Sequence, residues 1–289
     1  MVKVSVINTG YFKLDGGAMF GIVPKSIWSR INPPDENNLC TWAMRCLLVE
    51  DGDRKILIDT GIGHKQSEKF FSFFQPHGDD DLMTSVSNFI SAEEITDVLI
   101  THFHFDHVGG AVSKDKEGNY YPTFPNATYW TNELHYKWAY EPNAREAASF
   151  LKENFVPLNE MGVLSMIDVE DGIRFSDHIT LRFYNGHTEA MMVPFIDLPD
   201  GQTLVYPADL LPSSGHIRMP YVMAYDIRPL ITIREKEEFY DIVCDGSYFM
   251  FFEHDRVHET GRIIKNDKGR YDTDSLMSLE DRLNNDSSL

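Results

Sequence analysis

The sequence predicts an α/β fold in which mixed β-sheets carry helices on their outer faces. Three observations predict it. The first hundred residues run strand, strand, helix, strand, an order that builds mixed sheets with external helices. Asp97 to Thr101 (DVLIT) is a short, continuous apolar run, as expected of a strand covered on both faces. Further strand-like runs then return downstream, separated by turns.

In chain order, Val2 to Ile7 alternates as a strand should, and Thr41 to Val49 (TWAMRCLLV) is the second strand. The stretch between them, LDGGAMFGIVPKSIW, is richer in glycine and large apolar residues than a connecting loop usually is. Asp51-Gly52 marks a turn, and Lys55 to Asp59 reads as the return strand of a hairpin. Phe70 to Phe74 has spacing compatible with a helix, and Ser91-Ala92-Glu93-Glu94 is a capping box opening a short one. Ala127 to Trp130 reads as strand, and Asn132 to Phe155 as helix interrupted at Pro142. Ile179 to Tyr184, Met192 to Ile196 and Thr203 to Tyr206 are strands, Ile233 to Asp245 a helix, and Tyr248 to Phe252 a buried strand. No repeat stands out. Residues 1–270 read as one domain and residues 271–289 as a polar, acidic tail with a frayed end.

Composition narrows the partners. With 26 Lys+Arg against 45 Asp+Glu, the 289-residue chain carries a formal charge of −19. A polyanion binder releases counterions from a basic surface, which is not apparent here, so nucleic acid and anionic membranes are not the expected partners. Cys40, Cys46 and Cys244 are odd in number and lack CxxC spacing, which is no disulfide framework. The opening MVKVSVINTG lacks the apolar run of about 7–15 residues of a signal peptide. The expected location is cytoplasmic.

The decisive stretch is Thr101-His102-Phe103-His104-Phe105-Asp106-His107-Val108-Gly109-Gly110, at the end of the DVLIT strand. In extended geometry His102 and His104 point to one face, so both reach one cation. The chain then turns, and Asp106 and His107 serve an adjacent cation from another direction. Imidazole and carboxylate suit zinc and similar first-row metals. Gly109-Gly110 allows close backbone approach beneath the metals. One segment cannot complete two metal sites. His187, Asp209 and His254 each follow an apolar strand directly, and together they supply the two histidines and the bridging carboxylate still missing.

HxHxDH followed by His, Asp and His resembles the metallo-β-lactamase fold superfamily of dinuclear metallohydrolases. Within it, the chain is similar to the YtnP-like branch of the N-acyl-homoserine lactonases over about residues 1 to 260, including the GGAMFG loop (Gly16 to Gly21) and IDTG (Ile58 to Gly61). The resemblance implies an αββα sandwich of two mixed sheets flanked by helices, with a dinuclear metal site at one edge. It implies that His102, His104 and His187 hold one divalent ion, most simply zinc. Asp106, His107 and His254 would hold the second, with Asp209 bridging and Asp59 orienting a metal-bound histidine. IDTG also matches the aspartic-protease string, but that chemistry needs two such aspartates, and this chain has one.

Two adjacent dications supply hydroxide at neutral pH for attack on a carbonyl or phosphoryl centre. Asp106 or Asp209 then shuttles the proton to the leaving oxygen. The resemblance implies that this hydroxide, bridging the metals, opens the lactone ring of N-acyl-homoserine lactones, which are small, neutral acylated substrates. A phosphotriesterase, or another ester or thioester hydrolase, is the alternative, and a non-catalytic metal-binding module is the remote one. Met19, Phe20, Phe70 and Phe73 are candidates to line an acyl channel. Some lactonases of the group have Tyr three residues after the bridging Asp, where this chain has Pro212. Tyr221 and Tyr225 are the remaining candidates for a phenolic donor. The resemblance also implies a homodimer.

Overall fold

The computed structural model describes residues 2–286. The chain opens with β1 (Val2–Asp15), α1 (Gly16–Phe20), α2 (Lys25–Trp28), β2 (Leu39–Asp51) and β3 (Arg54–Ile58). It continues through α3 (Glu68–Phe74), α4 (Leu82–Ser87), β4 (Asp97–Leu99), α5 (Phe105–Val108) and a small hairpin, β5 (Val112–Lys114) and β6 (Tyr120–Pro122). Then come β7 (Thr128–Asn132), α6 (Glu133–Tyr140), α7 (Val156–Glu160) and β8 (Leu164–Ile167). The first sheet has the order β1-β2-β3-β4-β7-β8. Its hairpins pair antiparallel, whereas β3, β4, β7 and β8 run parallel to one another. That is the mixed sheet expected.

The second half supplies β9 (Ile173–Arg174), β10 (Ile179–Tyr184), β11 (Met191–Asp197), β12 (Thr203–Val205), α8 (Pro229–Val243), β13 (Tyr248–Phe251), β14 (Thr260–Lys265), β15 (Tyr271–Met277) and α9 (Leu279–Asp286). These strands form a sheet in the order β15-β14-β13-β12-β11-β10-β9. Strand periodicity explains how the sheets stack. Leu47 and Val49 of β2, with Ile56 and Ile58 of β3, meet Ile179, Leu181, Val205 and Phe251 of the second sheet in one core. The alternate residues Cys46, Leu48, Leu57 and Val98 turn the other way, onto Leu82, Val86 and Phe155. A strand buried on both faces reads as a continuous apolar run, which is why DVLIT is so plain in the sequence. The result is a sandwich with helices outside it.

Three expectations need correction. Helix does not run on from Asn132 to Phe155. It ends at Tyr140, because Pro142 disfavours helical backbone at Glu141, and Asn143 Oδ1 then accepts from the Arg145 and Glu146 N–H groups in a turn. The segment opened by Ser91 is one 3-10 turn, Ala92–Glu94, although Ser91 and Glu94 do form the capping box. The acidic tail is not merely polar: β15 pairs along β14, and Leu279 is buried in the inter-sheet core. Alternating acidic and apolar residues disguise an outer strand, since only one of its faces is covered. Residues 287–289 of that tail lie outside the described residues. Among the described residues, no helix is long and apolar enough to cross a membrane.

Candidate metal centre

The candidate ligands follow the ends of strands. His102 stands three residues after β4, His187 three after β10, and His254 three after β13. Asp209 sits in a one-turn 3-10 segment after β12. Asp106 and His107 lie on α5, whose backbone turns helical immediately after His104. Close packing holds that turn in place. An added Cβ on Gly109 would run into the Ile62 carbonyl, and one on Gly110 into the Thr60 carbonyl. The loop after β3 is also stitched to α5 through Thr60 N–H to His107 O (2.7 Å) and Gly110 N–H to Gly61 O (3.0 Å).

His102, His104, His187 and Asp209 form one buried group, and Asp106, His107 and His254 form another. In the first, His104 Nδ1 lies 3.1 Å from both His102 Nε2 and His187 Nε2. In the second, His254 Nε2 lies 3.3 Å from His107 Nε2 and 3.7 Å from Asp106 Oδ2. Asp209 faces both groups, with Oδ2 at 3.0 Å from His187 Nε2 and Oδ1 at 3.4 Å from His254 Nε2.

This donor set fits two dications. Ligands about 2.1 Å from a tetrahedral ion stand about 3.4 Å apart, close to the separations here. Asp209 Oδ1 is buried without a hydrogen-bond partner among the described residues, as would suit an oxygen that ligates a metal. The far nitrogens of the imidazoles are held as well. His187 Nδ1 meets Asp226 Oδ1 at 2.8 Å, His107 Nδ1 meets Asp59 Oδ2 at 3.1 Å, and His254 Nδ1 meets the Ala43 carbonyl at 2.7 Å. His102 Nδ1 meets Thr101 Oγ1 at 3.1 Å, and that hydroxyl in turn donates to Asp59 Oδ2. With an acceptor on one ring nitrogen, the lone pair of the other is free for a metal. His104 is reversed: its Nδ1 joins the cluster, and its Nε2 faces Glu146 Oε1 at 3.6 Å.

Electrostatics agree with this division. Burial, reinforced by the neighbouring imidazoles, holds His102 well below the ordinary histidine range, so it is a neutral ligand. Burial also opposes charge on His187, but Asp209 and Asp226 outweigh it and raise the ring to about 10. His254 rises to about 9 against the same burial, through Asp209 and Glu253. Without ions, protons balance these carboxylates; ions would displace them.

A cavity of about 450 Å³ opens over the cluster, lined by His104, Asp106, His187, Asp209 and His254 together with Leu14, Met19, Phe74, Phe105 and Met223. Of the six residues proposed to meet the substrate, it brings in Met19 and the phenolic candidate Tyr225. Phe20 does not reach it; it stacks between Trp28 and His216 in the core. Phe70 packs edge-on against Phe105, Phe73 is 62% exposed, and Tyr221 is buried in an apolar cluster with Phe12, Trp28 and Trp42. Phe74, one turn beyond Phe70 on the same helix face, lines the cavity instead. Sequence reasoning missed Asp226, Glu146, Glu253 and Thr101. Glu253 is buried against His107 Nδ1 at 3.2 Å, and its place directly before His254 was the one local signal available.

A family model described as Metallo-beta-lactamase superfamily matches residues 45–241. Among solved structures, a probable metal-dependent hydrolase from Staphylococcus aureus is similar at 27% identity and a TM-score of 0.85, over 96% of each chain. AidC, a dizinc quorum-quenching lactonase in complex with a product, is 20% identical with a TM-score of 0.76, over 96% of this chain and 95% of that one. An AiiA mutant from B. thuringiensis, with N-decanoyl-L-homoserine bound at the active site, is 18% identical with a TM-score of 0.68, over 88% and 93%. At those identities the two lactonases share the fold. No curated protein matches the chain.

Proposed function

Because the chain belongs to the metallo-beta-lactamase superfamily and is a metal-dependent hydrolase, we propose that it opens the lactone ring of N-acyl-homoserine lactones. The observation that carries this reading is the cavity over the ligand cluster, whose walls Leu14, Met19, Phe74, Phe105 and Met223 are apolar while its floor is polar. An acyl chain suits the walls and an ester the floor. Two lactonases of the same fold, one with a product and one with N-decanoyl-L-homoserine bound, support it.

The ligand set would hold two divalent ions, with zinc the first choice for imidazole and carboxylate. When bound, such ions supply an activated water at neutral pH and polarise the carbonyl oxygen. The protein's own groups do the rest. Asp209, which faces both groups, and Asp106, which lines the cavity, would carry a proton to the ring oxygen as its bond to the carbonyl carbon breaks. Water's oxygen ends on the carbonyl carbon and its proton on the former ring oxygen, giving a hydroxy acid. Burial, and then the Asp106, Asp15 and Asp209 carboxylates, push the Tyr225 phenol upward. It therefore stays protonated at neutral pH and donates to the carbonyl oxygen, in place of the tyrosine that Pro212 displaces.

Metal-replete protein is assayed with short- and long-chain N-acyl-homoserine lactones. Ring opening with kcat/KM of about 10⁴ M⁻¹s⁻¹ or more is expected. Protein that leaves every such lactone intact while hydrolysing phosphotriesters or thioesters would overturn the reading.

A further inference from the structure

Besides the metal ligands, the cavity wall carries few charged side chains. Glu146 is one, and its oxygens are engaged: Oε1 accepts from Thr188 Oγ1 at 2.7 Å, and Oε2 from Trp138 Nε1 at 2.7 Å and Asn143 Nδ2 at 2.6 Å. Arg145, its neighbour, is the other. Arg145 Nη2 donates to the carbonyls of Ala224 and Asp226, on the opposite rim. Those two acceptors lie on either side of Tyr225 in the chain, so the guanidinium ties the 141–151 rim to the segment that carries Tyr225. Its Nε and Nη1 make no hydrogen bond or ion pair among the described residues. A guanidinium fixed by one nitrogen offers its remaining N–H groups in a set direction, with little rotamer freedom left to lose on binding. The adjacent Glu146 carboxylate does not compete for them, since its oxygens are already taken.

We propose that Arg145 is the specificity-determining residue of the cavity, donating to a carbonyl oxygen in the non-reacting part of the substrate: the acyl amide. This rests on the lactonase reading above and deepens it. A charge-assisted hydrogen bond to the amide oxygen explains how an otherwise apolar cavity selects an N-acylated lactone over a plain alkyl lactone of the same bulk. A purely structural clasp between the rims predicts something else. Its loss would loosen Asp226, and with it His187, and so weaken all substrates together.

The test compares wild type, Arg145→Met and Arg145→Lys as metal-loaded enzymes on N-hexanoyl-homoserine lactone and γ-decalactone, which shares the ring but has no amide. In Arg145→Met, kcat/KM for the amide lactone should fall about tenfold or more, mainly through KM, and that for γ-decalactone much less. Arg145→Lys, which keeps one donor, should recover part of the loss. A parallel fall on both substrates with reduced metal content, or no fall on either, overturns the proposal. If the wild type opens γ-decalactone or cleaves phosphotriesters but no acyl-homoserine lactone, the lactonase reading fails separately. Arg145 is then judged by competitive inhibition of that activity. A Ki for N-butylhexanamide that rises about tenfold in Arg145→Met, while that of 1-decanol holds, sustains it, and equal changes overturn it.

Discussion

Each candidate histidine has a neighbour at the ring nitrogen that faces away from the cluster. Asp226 is the clearest case, because its carboxylate on His187 Nδ1 leaves Nε2 as the ligating atom. Replacing it with asparagine removes the charge and should weaken metal binding by about 10–100-fold, read by chelator competition. Unchanged affinity would mean that His187 is oriented by packing alone. The protonation of this histidine also sets a pH dependence. His187 at about 10 and His254 at about 9 both carry a proton near neutral pH when no ion is bound. Ligation requires both neutral, so binding releases protons, and affinity rises with pH until it levels off above those values. Calorimetric metal titrations in buffers of different ionisation enthalpy should register proton release at neutral pH; proton uptake would refute it. Among the predicted residues, the histidines and aspartates were legible because their types and spacing are chemically unusual. The aromatic wall was not. Phe70, Phe73 and Phe74 are chemically alike, and only the setting of α3 against Phe105 decides which one meets the cavity.

At the scale of elements, the site depends on short segments rather than long ones. Asp106 and His107 ride on a single helical turn, anchored by the loop after β3. The 141–151 segment, which reads as helix in sequence, is instead an irregular rim carrying Arg145 and Glu146. Helix propensity there yields to Pro142 and to the Asn143 turn. The C-terminal elements show the opposite error, since β15 and α9 close the second sheet where sequence composition points to a tail. Ending the chain at Arg270 removes the burial of Leu279 in the inter-sheet core. That side chain alone is worth about 1.5–3 kcal/mol, so the unfolding midpoint should fall by more than about 3 °C in a thermal melt. An unchanged midpoint would make the segment dispensable.

For the molecule as a whole, the charge of −19 bears on what leaves the site as much as on what enters. On the lactonase reading proposed above, the neutral substrate would approach unopposed, while its hydroxy-acid product, an anion, would be repelled by the surface. Exposed charges are screened beyond about 8 Å at physiological salt, so lowering the salt strengthens that repulsion. Product inhibition should therefore weaken as salt is lowered, measured as Ki for the ring-opened product. Inhibition independent of salt would confine the effect of charge to solubility.

The sequence by itself determined the fold class and the identity of the candidate ligands. Both are local matters, in which strand periodicity repeats every two residues and HxHxDH gathers four donors within six positions. Tertiary structure alone decided which groups complete them. Asp226 is 39 residues from His187, Ala43 is 211 from His254, and Arg145 meets the loop at Ala224 across 79. Nothing in those segments marks them in advance, because a carboxylate, carbonyl or guanidinium acquires its role from what the packed sheets place opposite it.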